Sequence, residues 1–286
     1  MKGIKAKKVV KFYGDVQALN NVTLSFSGNK IFGLLGRNGA GKTTLLNSIT
    51  GRIFIDSGEI FIDGEQAVEN DRAQGKVFMM GEMNLYPDRM KVKEAVKWMK
   101  VFYPDFDREY FEIMSDKFGL NINKKIKSLS TGYGSIFRLL IALSSNVPYL
   151  IFDEPVLGLD ANHRDLFYKT LLEKYIKEPF TAIVSTHLIE EVASIIEEVV
   201  IINKGEIILT QTTEELLRMG CSISGNASDV EDFIKGKNIL GIDSLGGFRT
   251  AYLIEDIDPN TVPKGIEMGK MDLQKLFIHM TNDREV

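Results

Sequence analysis

Several features of secreted, nucleic-acid-binding or membrane-spanning proteins are scarce in this sequence. Among 286 residues there is one cysteine, Cys221, which excludes an internal disulfide and is typical of a reducing, cytoplasmic setting. Basic residues do not exceed acidic ones: 35 Lys and Arg stand against 39 Asp and Glu, giving a net charge of −4. Because nucleic-acid-binding domains are usually basic, no nucleic-acid partner is expected. No window approaches about 18 uninterrupted apolar residues, and residues 1–11 lack the apolar core of a signal peptide, so neither a membrane span nor secretion is predicted.

A glycine-rich stretch, residues 36–44, is the strongest signal in the chain. It follows the apolar run Ile31–Leu35, which predicts a buried strand, and precedes residues 45–49, which predict the opening of a helix. Glycines let backbone amides turn towards phosphate oxygens, and the helix N-terminus adds partial positive charge there. Lys42 would reach the β- and γ-phosphates of a nucleotide, and the Thr43 hydroxyl would ligate Mg²⁺. A chance glycine-rich turn is the weaker alternative. The predicted phosphate-binding residues are Gly36, Arg37, Asn38, Gly39, Ala40, Gly41, Lys42, Thr43 and Thr44.

Two carboxylates end a second apolar run, at residues 150–154. Downstream of a phosphate-binding loop, Asp153 would hold Mg²⁺ directly or through water. Glu154 would orient or deprotonate the attacking water. The alternative is a strand end with two solvated acids, and the glycine-rich stretch disfavours it.

A third element, residues 129–133, precedes a predicted helix. Ser130 and Gly132 offer a hydroxyl and a free amide at the helix N-terminus, which is an anion-binding arrangement. A second anion site in a chain that already has one suggests a nucleotide shared between two chains. On spacing alone, however, a helix cap formed by Ser130 or Thr131 is favoured.

These residues resemble the motifs of the ATP-binding subunits of ABC transporters, over residues 4–213. Residues 36–44 are similar to that family's first nucleotide motif, residues 129–133 to its signature motif, and residues 150–154 to its Mg²⁺ and catalytic-glutamate strand. The resemblance implies that Ser130 and Gly132 bind nucleotide after all.

Other residues take an expected role from the resemblance alone. Asp160 lies where the family has the aspartate of the loop that follows the glutamate, and His187 where it has the switch histidine that contacts the γ-phosphate and Glu154. Tyr13 resembles the aromatic residue that stacks on adenine, although packing is an alternative for it. Glu82 stands where the family has a glutamine, although a shift of one residue would place Gly81 there, and the Glu82 carboxylate would be a further ligand of Mg²⁺ or water. In the signature motif Thr131 replaces a glycine and Tyr133 a glutamine, so the rate of turnover is open.

The predicted fold is α/β: a P-loop NTPase core with a small antiparallel β subdomain, a helical insertion and a small C-terminal α+β appendage. We predict an ABC ATPase domain over residues 1–217, with the helical subdomain at about 82–146, and an accessory domain over 218–286. Within these, Ile4–Tyr13 is predicted to be an edge strand and residues 188–197 a helix. In the appendage, residues 239–244 and 248–254 are predicted to be paired strands. The aromatics of the insertion, among them Trp98 and Phe102, are expected to be core rather than binding surface.

The expected function is ATP binding and hydrolysis, with Mg²⁺, by a subunit that serves a separate membrane permease. The resemblance implies a head-to-tail pair with a second ATPase subunit, a homodimer in the simplest case, at the inner face of the cell membrane. Residues 273–281 resemble the tail of the exporter-type bacterial subgroup of this family, which favours export. One alternative is a non-transport ABC ATPase that acts as a nucleotide-driven binding module. Another is a degenerate cassette that binds ATP and hardly turns over.

Overall fold

The computed structural model describes residues 2–81, 86–87 and 89–282. In chain order the strands are β1 (Ile4–Tyr13), β2 (Val16–Phe26), β3 (Ile31–Leu35), β4 (Ser57–Ile62), β5 (Glu65–Gln66), β6 (Val77–Met80), β7 (Tyr149–Asp153), β8 (Thr181–Thr186), β9 (Glu198–Asn203), β10 (Glu206–Thr212), β11 (Gly220–Asn226), β12 (Ile239–Leu245), β13 (Phe248–Ile254) and β14 (Ile266–Lys270). The helices are α1 (Lys42–Ile49), α2 (Asp71–Gln74), α3 (Val92–Phe102), α4 (Arg108–Lys117), α5 (Thr131–Ser144), α6 (Ala161–Lys177), α7 (Ile189–Val192), α8 (Thr213–Met219), α9 (Ala227–Phe233) and α10 (Leu273–Thr281). Single 3₁₀ turns lie at Ile126–Ser128 and Pro259–Thr261.

The central sheet has six strands in the order β10-β9-β3-β8-β7-β6. All neighbours are parallel except β10, which forms a hairpin with β9. Every residue of β3, β7 and β8 is buried, because the sheet is covered on both faces. Side chains alternate along these strands between two apolar cores, so that Phe32 and Ile31, for example, pack on opposite sides. The predicted α/β core with its parallel strands is confirmed.

A second sheet, in the order β2-β1-β4-β5, is antiparallel and covers one of these cores. The small antiparallel subdomain is therefore confirmed, but the prediction that Ile4–Tyr13 is an edge strand is wrong. β1 lies between β2 and β4 and pairs with both. The close approach depends on Gly58, whose φ is +93° and at which a Cβ would lie 2.4 Å from the Lys8 carbonyl oxygen.

The insertion between β6 and β7 contains α3, α4 and α5, and its described residues form helices and turns apart from one isolated bridge between Lys91 and Lys125. Its core is aromatic: Phe106, Phe111 and Phe137 are each at most 1% exposed. Trp98 and Phe102, in contrast, are 54% and 68% exposed, so the expectation that they are core is wrong. They lie beside the buried face of α3, which is formed by Val92, Ala95, Val96 and Met99.

The C-terminal part forms a third sheet, in the order β12-β13-β11-β14, with α9 packed on it. It has its own small apolar core around Ile223, Val230 and Leu253. The last helix, α10, contacts this sheet and also joins the large core of the central sheet through Leu276 and Phe277. α8 crosses the predicted division between residues 217 and 218, and that division stays a prediction.

Candidate active site

The glycine-rich stretch links the buried end of β3 to the start of α1, as the sequence predicts. Gly39 and Gly41 have φ values of +80° and +107°, a left-handed conformation that glycine adopts without strain. There is also no space for larger residues. A Cβ at Gly36 would lie 2.6 Å from the Ile202 carbonyl oxygen, and one at Gly41 would lie 2.7 Å from that of Ala18. The loop is thus held between the central sheet and the antiparallel sheet.

Lys42 is the first residue of α1, and its side chain is only 6% exposed. Its ammonium group donates hydrogen bonds to the carbonyl oxygens of Gly36, at 2.6 Å, and Arg37, at 3.3 Å. Burial lowers the pKa of Lys42, and the negative charges of Glu154 and Asp153 oppose that shift. A phosphate group at this loop would supply the counter-charge that a desolvated ammonium group favours.

Asp153 ends β7 and lies beside the loop. Because β3, β8 and β7 are neighbouring parallel strands, their carboxyl ends meet at one edge of the sheet. The Thr43 hydroxyl donates a 2.8 Å hydrogen bond to Asp153 Oδ2. Asp153 Oδ1 is buried and has no hydrogen-bond partner among the described residues. A hydroxyl next to a carboxylate with a spare buried oxygen is an oxygen donor set that fits Mg²⁺. Glu82, predicted as a further ligand, lies outside the described residues.

Glu154 and His187 meet at the same edge. The Glu154 amide donates to the Ser185 carbonyl oxygen at 2.9 Å, and the residue has a φ of +48°, which is uncommon for a side chain with a Cβ. Its carboxylate, 15% exposed, lies 2.9 Å from His187 Nδ1. The imidazole of His187 is 43% exposed. A carboxylate aimed at an accessible cleft and oriented by an imidazole can take a proton from a water molecule.

Two neighbouring clefts divide the predicted site residues. The first, of about 380 Å³, is lined by Ala18, Glu154 and the loop residues 37–44. The second, of about 430 Å³, is lined by Ser130, Thr131, Asp153 and Glu154, among others. Ser130 therefore does not line the cleft of the phosphate-binding loop in its own chain.

The segment around Ser130 begins α5. Ser130 Oγ accepts a 3.4 Å hydrogen bond from the Tyr133 amide, so the capping interpretation of Ser130 is confirmed. Gly132 packs against the loop after Glu154, where a Cβ would lie 2.9 Å from the Gly158 carbonyl oxygen. The Ser135 hydroxyl donates to the Leu157 carbonyl oxygen at 3.0 Å. The start of α5 and residues 157–158 are therefore fixed to each other.

Comparison with known proteins agrees with this geometry. The sequence profile of the family described as ABC transporter matches residues 19–157. The ABC transporter ATP-binding protein NatA of Bacillus subtilis (strain 168) is 31% identical over 245 residues, which cover 82% of this chain and 94% of that protein. The chain belongs to the ABC transporter family. It is an ATP-binding subunit of that family and an ATPase.

Two further similarities cover more of the sequence and the fold. The ABC transporter ATP-binding protein YtrB of Bacillus subtilis (strain 168) is 26% identical over 287 residues, covering 99% of this ABC ATPase and 94% of YtrB. The dimeric structure of the ATP-binding cassette MJ0796 in a post-hydrolysis state, bound to ADP and Pi, superposes with a TM-score of 0.65 at 23% identity. The superposition covers 73% of this chain and 98% of the MJ0796 chain, so the two share the same fold. The predicted P-loop NTPase fold is confirmed.

Asp160 lies at the start of α6 in this ABC ATPase. Its carboxylate accepts a hydrogen bond from the His163 amide at 2.9 Å, and the His163 Nδ1 atom lies 2.9 Å from its other oxygen. The bond from the His163 backbone amide is the main cause that lowers the pKa of Asp160. Asp160 is therefore a helix cap, and its role towards nucleotide stays a prediction.

Two positioning contacts were missed in the sequence. Arg164 donates to Glu191 at 2.8 Å and to the Leu159 carbonyl oxygen at 2.9 Å, so it links the Asp160 loop to α7. The His163 ring stacks on Phe118, directly after α4, with centroids 6.4 Å apart. No local pattern predicts the Arg164–Glu191 and His163–Phe118 contacts, because these partners are distant in sequence.

Tyr13 ends β1 and is 50% exposed. Its ring lies 5.6 Å from the Lys11 ammonium group, within reach of a cation–π contact. Tyr13 does not line the cleft of the phosphate-binding loop, whose contact with β2 is made by Ala18. Stacking of Tyr13 on adenine stays a prediction.

Proposed function

We propose that this ABC ATPase energises a separate membrane permease, and that two copies close head to tail on ATP. The observation that carries this proposal is the division between the two clefts. The phosphate-binding loop and Ser130 line different clefts of one chain, with Glu154 at the border of both. If a second chain supplies Ser130 and Gly132 across an interface, each nucleotide contacts both chains, and ATP contributes to the interface.

Within one chain, different residues bind the phosphates and the Mg²⁺ ion. Lys42 and the amides of the loop bind the β- and γ-phosphates. The buried Lys42 ammonium group donates to carbonyl oxygens of the loop, and a phosphate would supply its counter-charge. Thr43 and Asp153 would hold Mg²⁺, which would neutralise charge on the phosphates. Glu82 is proposed as a further ligand.

Glu154 is the proposed general base. Its carboxylate lies at the rim of the phosphate cleft and takes a proton from the attacking water. His187, bonded through Nδ1 to this carboxylate, keeps it oriented and contacts the γ-phosphate with the rest of the ring. Loss of the γ-phosphate then removes contacts from both chains, and the pair reopens. Asp160 and the 157–160 loop, held by Gly132 in the same chain, are proposed to meet the partner's site.

The permease is proposed to dock on the helical insertion. Trp98, Val101 and Phe102 form an exposed apolar stripe at i, i+3 and i+4 of α3, and are 54–68% exposed. Within the described part of the chain, no helix is both long and apolar enough to traverse a bilayer. We propose a peripheral position on the inner face of the cell membrane and, from the resemblance of residues 273–281 to exporter-type subunits, export.

The proposed role of Glu154 as general base is tested by trapping a nucleotide-bound dimer. Glu154→Gln keeps the size of the side chain and removes the base, so we expect unchanged ATP binding, loss of steady-state hydrolysis and a nucleotide-bound dimer on size exclusion. Glu112→Gln, on the exposed side of α4, is the control and should behave as the parent. Parental hydrolysis by Glu154→Gln would contradict the role of Glu154.

Mixing two inactive variants tests the head-to-tail arrangement. Lys42→Met and Ser130→Phe should each lack activity as homodimers, because each breaks both composite sites. A mixed dimer keeps one site with Lys42 from one chain and Ser130 from the other, so mixing should restore ATP occlusion. If mixing restores nothing while both variants remain folded, each chain builds its own site. Capture of a polytopic membrane protein by the parent, rather than of ribosomes or DNA, separates transport from the alternative of a non-transport binding module.

A further inference from the structure

The last helix of the chain packs on the C-terminal sheet, where the His279 ring stacks on Tyr252, and also joins the large core of the central sheet. α10 is amphipathic and begins at Asp272, whose carboxylate accepts a hydrogen bond from the Lys275 amide at 2.7 Å. Leu276 and Phe277, at 0% and 9% exposure, are in the same apolar cluster as α7. α10 therefore contributes side chains to the core that lies beneath the edge of the active site.

α7 is the element that α10 covers. It has four residues and begins two positions after His187. So short a helix is not stable by itself, since a single turn fixes many dihedral angles for few hydrogen bonds. Its position depends on packing of Ile189 and Val192, which are 1% and 0% exposed. On its other side Arg164 holds Glu191 at 2.8 Å.

A cleft of about 320 Å³ lies between the two elements. Its lining includes His187, Leu188 and Ile189 on one side and Gln274, Phe277 and Ile278 on the other. The segment that carries His187 is thus bordered by α10 on one side and by Glu154 on the other, 2.9 Å from Nδ1. A shift of α7 would move the imidazole relative to the carboxylate.

We propose that Phe277 is a positioning residue for His187, and that the C-terminal region acts on ATP hydrolysis through α10. This inference rests on the proposed role of His187. Phe277 touches no reacting group. It packs against α7 and so fixes where the switch segment begins. The sequence places this residue about 90 positions after the histidine, beyond the whole C-terminal sheet.

The test compares two core truncations in the full chain. Phe277→Ala is expected to lower kcat roughly ten- to a hundredfold with KM for ATP unchanged, because small misplacements of catalytic groups have effects of this size. Leu253→Ala removes a fully buried side chain from the C-terminal sheet, which has its own core, and should leave kcat within about twofold of the parent. Phe277→Leu, which keeps apolar volume, should retain most of kcat.

Two readouts distinguish positioning from general damage. Amide hydrogen exchange of residues 189–193 should speed up in Phe277→Ala and not in Leu253→Ala. In a double-mutant cycle, Phe277→Ala should cause no further loss once His187→Ala is present, since both act through one group. Parental kcat in Phe277→Ala, equal losses in both truncations, or additive losses in the cycle would each overturn the inference. If His187→Ala alone hydrolyses ATP at the parental rate, the proposed role of His187 fails, and the exchange experiment still reports whether Phe277 holds α7.

Discussion

Gly132 and Gly134 lie two residues apart in the first turn of α5 and offer a matched pair of substitutions. At Gly132 an added Cβ would lie 2.9 Å from the Gly158 carbonyl oxygen, a backbone atom that cannot rotate away. At Gly134 the nearest atom is the end of the flexible Arg138 side chain, at 3.6 Å, an ordinary contact. Only the first substitution forces two segments of the site apart.

The magnitudes follow from this geometry. Gly→Ala inside a helix gains up to about 1 kcal/mol in either position. Overpacking typically costs about 1–3 kcal/mol, and only Gly132→Ala incurs it. We therefore expect Gly132→Ala to be about 1–3 kcal/mol less stable than Gly134→Ala. At roughly 2 °C per kcal/mol for a chain of this size, its midpoint should be a few degrees lower.

Thermal and urea unfolding of both variants, with steady-state ATPase rates at saturating MgATP, check this prediction. Gly134→Ala should match or exceed the parental stability and keep its activity. Gly132→Ala should lose activity by more than its lower stability explains, because it displaces both the Ser130 segment and the 157–160 loop. Equal midpoints and equal rates for the two variants would refute the reasoning about the Gly132–Gly158 contact.

Three further outcomes are expected. Burial would raise the pKa of Asp63, but hydrogen bonds from Tyr149, the Gly3 amide and Lys76 outweigh it and lower the pKa below 3.8. The resulting stability is present at neutral pH and is lost as the pH falls through the carboxyl range, so acid unfolding of Asp63→Asn should depend less on pH than that of the parent. MgATP at about 100 times its Kd should stabilise the parent by about 2.7 kcal/mol, and Lys42→Met should lose this increment in thermal-shift assays. The double variant Trp98→Ser/Phe102→Ser should keep the ATPase rate of the isolated protein and lose capture of the permease from detergent extracts, whereas retained capture would exclude α3 as the docking helix.

Much of the nucleotide site could be predicted because its information is local. Ile31–Leu35, the glycines after it and Lys42 form one continuous stretch, and Asp153 directly follows an apolar run. Because β3 and β7 are parallel strands of one sheet, their carboxyl ends lie at the same edge. The sequence therefore predicted that Thr43 and Asp153 lie together, whereas the boundary between the two clefts depends on the tertiary structure.

The wrong predictions concern the tertiary surroundings of helical segments. The apolar pattern of residues 188–197 predicted a helix, but α7 ends at Val192 because the chain must reach β9, and the Glu197 amide pairs with the Ile31 carbonyl oxygen at 2.9 Å. Trp98 has the character of a core residue, and helical spacing cannot tell whether its face is covered.

The C-terminal sheet was only half predicted. The pairing of β12 with β13 was predicted from their strand residues, and it is confirmed. β11 and β14 are rich in glycine, serine and charged residues, which have weak strand propensity. They become strands because β11 pairs on both sides, with β13 and β14, and such pairing depends on the tertiary structure.

The left-handed backbone of Glu154 has a consequence for the evolution of this chain. A residue with a Cβ in that conformation costs about 1–3 kcal/mol relative to glycine or asparagine. Substitutions that relieve this strain would therefore be favoured by selection for stability, at the position that we propose for the general base. Under that proposed role, backbone strain and catalysis are opposed, and selection for activity would keep a strained residue directly after β7.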